Sequence, residues 1–388
     1  MAEAVLVQPD ASLIREIIAM GGSDLKKCYQ CGTCAVSCDL SAEDVSFPRR
    51  QMLAAQWGLR DRLMEDPGPW LCFYCGGCTT RCPRKANPGE VMMALRRYLT
   101  AQYDWTGLSG LMYRSAFWEI GALALVAALV VLAFVLPHGF GFGLLAQSPA
   151  ALESVNLGQF APKEIVHIAH WLLALLLGLL LLVNASRMFR ALTRGKDIPL
   201  GAYLRAIPNL LVEAATQRRW RGCQDHTAAS NWRRHLLLVT GYATIFTLVV
   251  VFLPWFQVED SGFHWTSLLG YYAAGILLWS TASMLWDRAR RRSEMHRFSE
   301  LSDWLFPALL FLTALTGILL HAFRLSNWPM ATCTMYVIHL AIAVPMLVVE
   351  VPFGKWAHLF YRPVAIYVAA VSRESSKGSS SNLGARSN

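Results

Sequence analysis

The pattern of apolar and polar positions divides the chain near residue 114. Before that point the two kinds alternate on short scales; after it, long apolar runs dominate. In the first part Leu13, Ile14, Ile17 and Ile18 fall on helical spacing, and Gly21-Gly22 supplies the stop signal of a short amphipathic helix. A second helical stretch is expected from Pro48 to Leu63. A third is expected from Pro88 through Tyr98, with Pro67-Gly68-Pro69 breaking the chain between them. So few apolar positions make a small core, and such a domain needs staples.

From about Phe117 six apolar stretches approach the ~20 residues that cross a bilayer: 116–136, 165–186, 235–256, 267–286, 304–323 and 335–357. The basic residues sort with them. The loop 187–234 carries Arg187, Arg190, Arg194, Lys196, Arg205, Arg218, Arg219, Arg221, Arg233 and Arg234, and the loop 287–303 carries Arg288, Arg290, Arg291, Arg292 and Arg297. The three alternate loops hold only Lys163 and Arg324. This positive-inside asymmetry predicts a multi-pass protein of the inner (cytoplasmic) membrane with both termini cytoplasmic. The tail, rich in Ser, Gly and Lys from Ser372, is expected to be disordered.

Composition agrees. Of the 388 residues 55% are hydrophobic and 16% charged, too greasy a balance for an ordinary soluble protein. The net charge of +9 follows the loops and forms no continuous face, so no nucleic-acid partner is expected. Acids at Glu3, Asp10 and Glu16, with no apolar h-region, argue against a secretory signal. The expected fold is mainly α, with three parts. A small two-cluster, ferredoxin-like helical domain (1–113) precedes a six-helix transmembrane bundle (114–362), and a disordered cytoplasmic tail (363–388) follows.

The staples are cysteines. Of ten, eight fall into two runs, Cys28-x2-Cys31-x2-Cys34-x3-Cys38 and Cys72-x2-Cys75-x2-Cys78-x3-Cys82-Pro83. Three cysteines spaced by two residues wrap one iron–sulfur cubane, while the fourth is aimed at the other cluster. On that logic Cys28, Cys31, Cys34 and Cys82 hold one 4Fe–4S cluster, and Cys72, Cys75, Cys78 and Cys38 hold the second. Gly32, Gly76 and Gly77 suit loops that turn tightly around sulfur. Structural zinc sites instead pair two separated C-x2-4-C units. The first run has Asp39 where the pattern places proline. Cys223 and Cys333 read as structural bystanders.

The flanks KKCYQCGTCAVSC, SFPRRQM and WLCFYCGGCTTRCPRKANPGEVMMALR resemble the C subunit of heterodisulfide reductase, a two-cluster electron carrier, over roughly residues 10–100. In that system Cys-Cys-Gly motifs on a separate subunit do the disulfide chemistry. This chain has no Cys-Cys pair, so no complete catalytic site for sulfur chemistry is expected in it.

Histidine inside a spanning helix is costly and points to function, most simply to axial haem ligation. His339 and His358 bracket the last apolar stretch, about 28 Å apart if it is one helix. The stretch resembles the last helix of the nitrate reductase gamma (cytochrome b) family, which ligates two haems b, one toward each face. PFGKWAHLFYRP also resembles the membrane subunits of heterodisulfide reductase-like complexes. By depth, His235 is the mate of His358 at the inner haem. For the outer haem His339 has three candidate mates: His170 first, then His321 and His167. The gamma pattern would place a second ligand on the His235 helix near Ile245, so that ligand does not carry over. His138, His226, His264 and His296 lie in loops and read as interfacial. Glu350 is the one acid well inside a spanning stretch, open to a proton-relay or quinone-site role or to a structural one. The Trp residues fit an interfacial belt.

A two-cluster domain fused to a dihaem bundle resembles the C subunit of the quinone-interacting membrane-bound oxidoreductase complexes. That resemblance implies a subunit of a quinone-linked oxidoreductase, exchanging electrons with the quinone pool. It also implies two soluble flavin and iron–sulfur partner subunits and, beyond them, adenylylsulfate (APS) reductase in sulfur metabolism. Two other readings stay open: a heterodisulfide reductase-like membrane subunit serving a thiol-disulfide reductase, and a membrane-anchored redox sensor.

Overall fold

The computed structural model describes residues 8–42, 45–138, 157–222, 228–252, 265 and 267–384. Cys223, His226, His264 and the end of the third expected span, 253–256, lie outside them. The fold is all-helical, with no strand among the described residues.

In the cysteine domain α1 (Leu13–Ala19) buries Leu13 and Ile17, and it packs on α4 (Pro88–Tyr103), which buries Val91, Met92, Leu95 and Tyr98. Proline at the first position of α4 suits a helix start, where its missing N–H costs nothing. The stretch expected as one helix from Pro48 to Leu63 is two, α2 (Arg49–Gln56) and α3 (Arg60–Met64). Gly58 separates them at φ +69°, and a Cβ there would stand 2.7 Å from the Asp10 backbone nitrogen. That close approach, secured by Asp10 N–H donating to Gly58 O at 2.9 Å, overrides the helical pattern.

After α5 (Leu108–Arg114) come α6 (Ala116–His138), α7 (Lys163–Thr193), α8 (Leu200–Thr216), α9 (Ala228–Val250), α10 (Ser267–Ala289), α11 (Leu301–Leu325), α12 (Pro329–Pro345) and α13 (His358–Gly384). Five are long and apolar enough to cross a membrane: α6, α7, α10, α11 and α12 with its continuation to Glu350. The other expected span is helix α9. Its polar start, with Asn231, Arg233, Arg234 and His235, keeps its described residues out of that set. It also begins seven residues earlier than expected, so His235 lies two turns inside it. Leu125, Leu129 and Leu132 on α6 and Leu172, Leu175 and Leu179 on α7 are exposed, as side chains facing hydrocarbon would be. On α8 an exposed row of Leu200, Leu204, Ile207 and Leu211 fits a helix lying along an interface.

Two expectations for the C-terminal region fail. His339 and His358 are not on one helix. Helix α12 ends at Pro345, a π turn covers Met346–Glu350, and the chain bends before His358 opens α13. Pro352 lacks a donor N–H and so cannot continue the helical ladder, and Gly354 takes φ −96°, ψ −158°. The 28 Å estimate, which assumed a straight helix, therefore does not apply. Nor is the chain disordered from residue 363. Helix α13 runs to Gly384, its Tyr361, Ala365 and Val368 joining the cysteine-domain core and its Ala370 and Val371 packing on Ala202 and Ala206 of α8. The stripe ends at Val371, just before the polar run that begins at Ser372.

These contacts mount the cysteine domain on the bundle. At about 1.5 Å per residue α7 is ~46 Å long, well beyond a ~30 Å hydrocarbon core. Its end reaches the domain, where Arg187 Nε donates to Tyr103 O at 2.9 Å and Met188 and Leu192 enter the domain core. A buried ionic network ties the same joint. Arg97 of α4 meets Glu90 at 3.1 Å and Asp303 of α11 at 3.3 Å, and Asp303 also receives Lys355 and, at 3.9 Å, Arg288. Asp303→Ala would leave these cations without their shared carboxylate. We expect a loss of about 3–5 kcal/mol, read as a lower midpoint in denaturant titration of the detergent-solubilised protein. An unchanged midpoint would mean the network carries no stability.

Candidate metal and cofactor centres

The two cysteine runs repeat one backbone design. Two residues after the first cysteine of each comes a left-handed residue, Gln30 (φ +66°) and Tyr74 (φ +54°). Two further on comes a left-handed glycine, Gly32 (φ +85°) and Gly76 (φ +83°), followed by one helical turn, Thr33–Val36 and Gly77–Thr80. Such loops aim donors at sulfur. Tyr74 N–H donates to Cys72 Sγ and Ala86 N–H to Cys82 Sγ, each at 3.3 Å, and the Gln30 side-chain amide donates to Cys28 Sγ at 3.6 Å. Donors of this kind stabilise negative sulfur and tune a cluster's potential.

The thiols group across the runs. Burial pushes Cys34 up to about 11, and the charges of Cys28, Cys31 and Cys82 add to it. Cys28 is raised by burial and, in part, by Cys82. Burial also pushes Cys38 up to about 11, and the cysteines acting on it belong to the other run, Cys72 and Cys75. Cys78 is raised by burial, then by Cys72, Cys75 and Cys38, and last by Cys34 of the first run. Cys31 is lowered, first by the Thr33 hydroxyl. Electrostatically, Cys82 stands with the first trio and Cys38 with the second. Among the described residues no three His, Cys, Asp or Glu side chains gather around a single ion. The thiolates of a cubane each bind a different iron and stand wider apart. The donor set suits two four-thiolate clusters.

Behind the second loop lies a cavity of about 280 Å³ lined by residues from both domains, among them Phe73, Trp220, His235, His358 and Arg362. His235 Nδ1–H donates to Gln217 Oε1 at 2.6 Å, and His358 Nδ1–H donates to Lys355 O at 2.6 Å. With Nδ1 engaged, Nε2 of each ring is the nitrogen left for a metal. The two imidazoles lie within electrostatic reach of each other. These residues fit a bis-histidine haem. Phe73, next to Cys72, stacks on Trp220 (centroids 6.1 Å), Trp220 lies 4.6 Å from the His235 ring, and the Arg362 guanidinium lies 4.5 Å from the Phe73 centroid. A row of packed rings thus joins the second cysteine loop to His235.

Toward the other end of the bundle His339 Nδ1 shares a hydrogen bond of 2.9 Å with Thr316 Oγ1, and its ring lies against Gly317, where a Cβ would come within 3.4 Å. His339 therefore rests on α11, the helix that carries His321, whose Nε2 is buried without a partner. His167 and His170 lie on α7, which packs chiefly on α13. His170 Nδ1 is likewise buried and unpartnered, whereas His167 Nε2 accepts a hydrogen bond from Trp171 at 3.0 Å. Glu350 is fully buried, folded over Gly354, within electrostatic reach of the buried Glu119 on α6. Sequence reasoning missed Phe73, Trp220, Glu119 and Asp303. Only Asp303 had a local signal, as the acid three residues into the capping box that Glu300 begins.

The similarities to known proteins fall on the cysteine domain. Residues 24–86 match the 4Fe-4S dicluster domain family. The chain is 39% identical over 102 residues to an Archaeoglobus profundus protein described as like the C subunit of heterodisulfide reductase, covering 26% of this chain and 53% of that one. It is 37% identical over 87 residues to the C subunit of the H2:CoB-CoM heterodisulfide, ferredoxin reductase of Methanothermobacter thermautotrophicus, covering 22% and 47%. The chain thus spans about half the length of these curated relatives. No solved structure matches. The N-terminal domain is a heterodisulfide reductase C-like iron–sulfur domain, and its relatives are subunits of oxidoreductase complexes.

Proposed function

We propose that the chain is the membrane electron-transfer subunit of a quinone-linked oxidoreductase complex. The observation that carries this reading is the cavity holding His235 and His358 directly behind the Cys72 loop, because it sets a haem site against a cluster site. Cys28, Cys31, Cys34 and Cys82 hold one 4Fe–4S cluster, and Cys72, Cys75, Cys78 and Cys38 hold the other. His235 and His358 hold the inner haem b. His339 holds the outer one with His170, His321 or His167; a buried ring nitrogen of both His170 and His321 has no hydrogen-bond partner and is left for a metal. Haems and clusters carry single electrons, so they pass on one at a time the pair that a quinol supplies. The protein's own residues hold the carriers, fill the gap between them with packed rings, and keep the cysteine domain on the arginine-rich side, which the positive-inside pattern makes cytoplasmic. The partners are two soluble flavin and iron–sulfur subunits, and the pathway is that of APS reductase. Similarity to heterodisulfide reductase subunits favours a second reading, in which the soluble partner reduces a thiol-disulfide substrate.

The purified complex is expected to show b-type haem absorbance that quinol reduces. A preparation with iron–sulfur signals and no haem absorbance would sink the bundle's part in this reading and leave a membrane-anchored redox sensor.

A further inference from the structure

The two cysteine loops face different surroundings. Each run has one buried cysteine, Cys34 and Cys72, and one exposed, Cys31 and Cys75, so the difference lies in the neighbours: in the second, Phe73 leads through Trp220 to His235, which makes that loop the inward end of the domain. The first loop looks outward. Cys31 is exposed, Val36 is 92% exposed and Tyr29 57% exposed, a concentration of apolar surface beside a candidate cluster ligand. A hollow next to Cys31 is lined by Thr33, Val36, Arg49 and Arg81 among others, and no acid lines it among the described residues. Arg84 lies 5.8 Å from the Tyr29 ring centroid. Electron tunnelling weakens exponentially with the gap, so a partner must press its own redox centre against the outward loop.

Resting on the electron-transfer reading above, we propose that this face is the docking surface for the soluble redox partner, and that the partner presents acidic residues around an apolar centre. Val36 and Tyr29 form the part that docking covers, and Arg49, Arg81 and Arg84 form the charged rim. This is the anatomy of a transient interface: apolar centre, charged edge. The cations steer an acidic protein onto the loop and speed encounter more than they tighten the complex. One electron crosses at the contact. It oxidises the cluster of the outward loop and reduces the partner's flavin or iron–sulfur centre, or runs in reverse, with no bond made or broken at the cluster. The order of carriers is then inner haem, second-run cluster, first-run cluster, partner.

The test uses the full-length protein in lipid nanodiscs, its clusters verified by EPR, with an acidic 2Fe–2S ferredoxin as probe and a basic cytochrome c as counter-probe. The rate of electron exchange with ferredoxin is expected to exceed that with cytochrome c. It should fall about tenfold as salt rises from about 50 to about 500 mM. In the Arg49→Glu/Arg81→Glu variant it should fall about tenfold at low salt with cluster signals intact, while cytochrome c gains. Val36→Asp should slow the ferredoxin reaction independently, and Arg62→Glu, at an exposed position of α3, should not. Ferredoxin rates unchanged in the double variant and in Val36→Asp would overturn the proposal, as would a preference for cytochrome c. Protein with no reducible cluster would instead overturn the electron-transfer reading, and this surface with it.

Discussion

Replacing Cys38 by Ala is expected to remove the cluster of the other run, the one built on Cys72, Cys75 and Cys78, and to leave its own run's cluster in place. Cys82→Ala should do the converse. Loop geometry and the electrostatic grouping of the thiols together carry this expectation. In each run three cysteines curl through a loop with two left-handed residues, and the fourth leaves after a helical turn. The cysteines acting on Cys38 are Cys72 and Cys75, and Cys82 acts on Cys28 and Cys34. Each single variant should lose roughly half of the iron, since one of two cubanes goes. The informative variants are the doubles. Combined with Cys72→Ala, Cys38→Ala should lose no more iron than either alone; combined with Cys28→Ala it should lose nearly all. Residues serving one site are non-additive and residues serving two are additive. If Cys38→Ala with Cys28→Ala behaved as a single loss, each run would hold its own cluster.

His358→Ala should remove one haem b, halving the pyridine haemochrome yield, while the cluster EPR signals persist. His235→Ala should remove the same haem. Both rings line one cavity and both have Nδ1 engaged, which leaves one coordinating nitrogen apiece. A bis-histidine site that loses one ligand holds its haem by a single bond, and the haem is expected to be lost on purification. Survival of both haem bands unchanged in spectrum and potential in His358→Ala would refute the pairing. The double variant gives an internal check, because its haem content should equal that of either single variant.

Much of this was legible along the chain because its signals are short-range. Cysteine spacing, span length and the arginine-rich loops each involve residues a few positions apart. The errors came where local pattern met long-range contact. The stretch 335–357 is apolar enough for a single helix, yet Pro352 and Gly354 bend it and put His358 on a separate element. The polar run from Ser372 suggested a tail without structure, yet just before it Ala365, Val368 and Val371 are spaced to lay one apolar stripe against two neighbours. Nothing in the local sequence singles out Glu119, and only the packing of α6 brings it to Glu350.

By itself the sequence determined an all-helical chain in two textures, an iron–sulfur domain in its first quarter and apolar helices after it, since backbone periodicity and ligand spacing are local properties. The tertiary structure alone decided which run faces the bundle and which faces outward. It also showed that Phe73 and Trp220 join a cysteine loop to His235, and that Asp303 binds cations from three separate segments. Those facts depend on residues far apart in the chain meeting when apolar faces are buried, and no spacing rule encodes them.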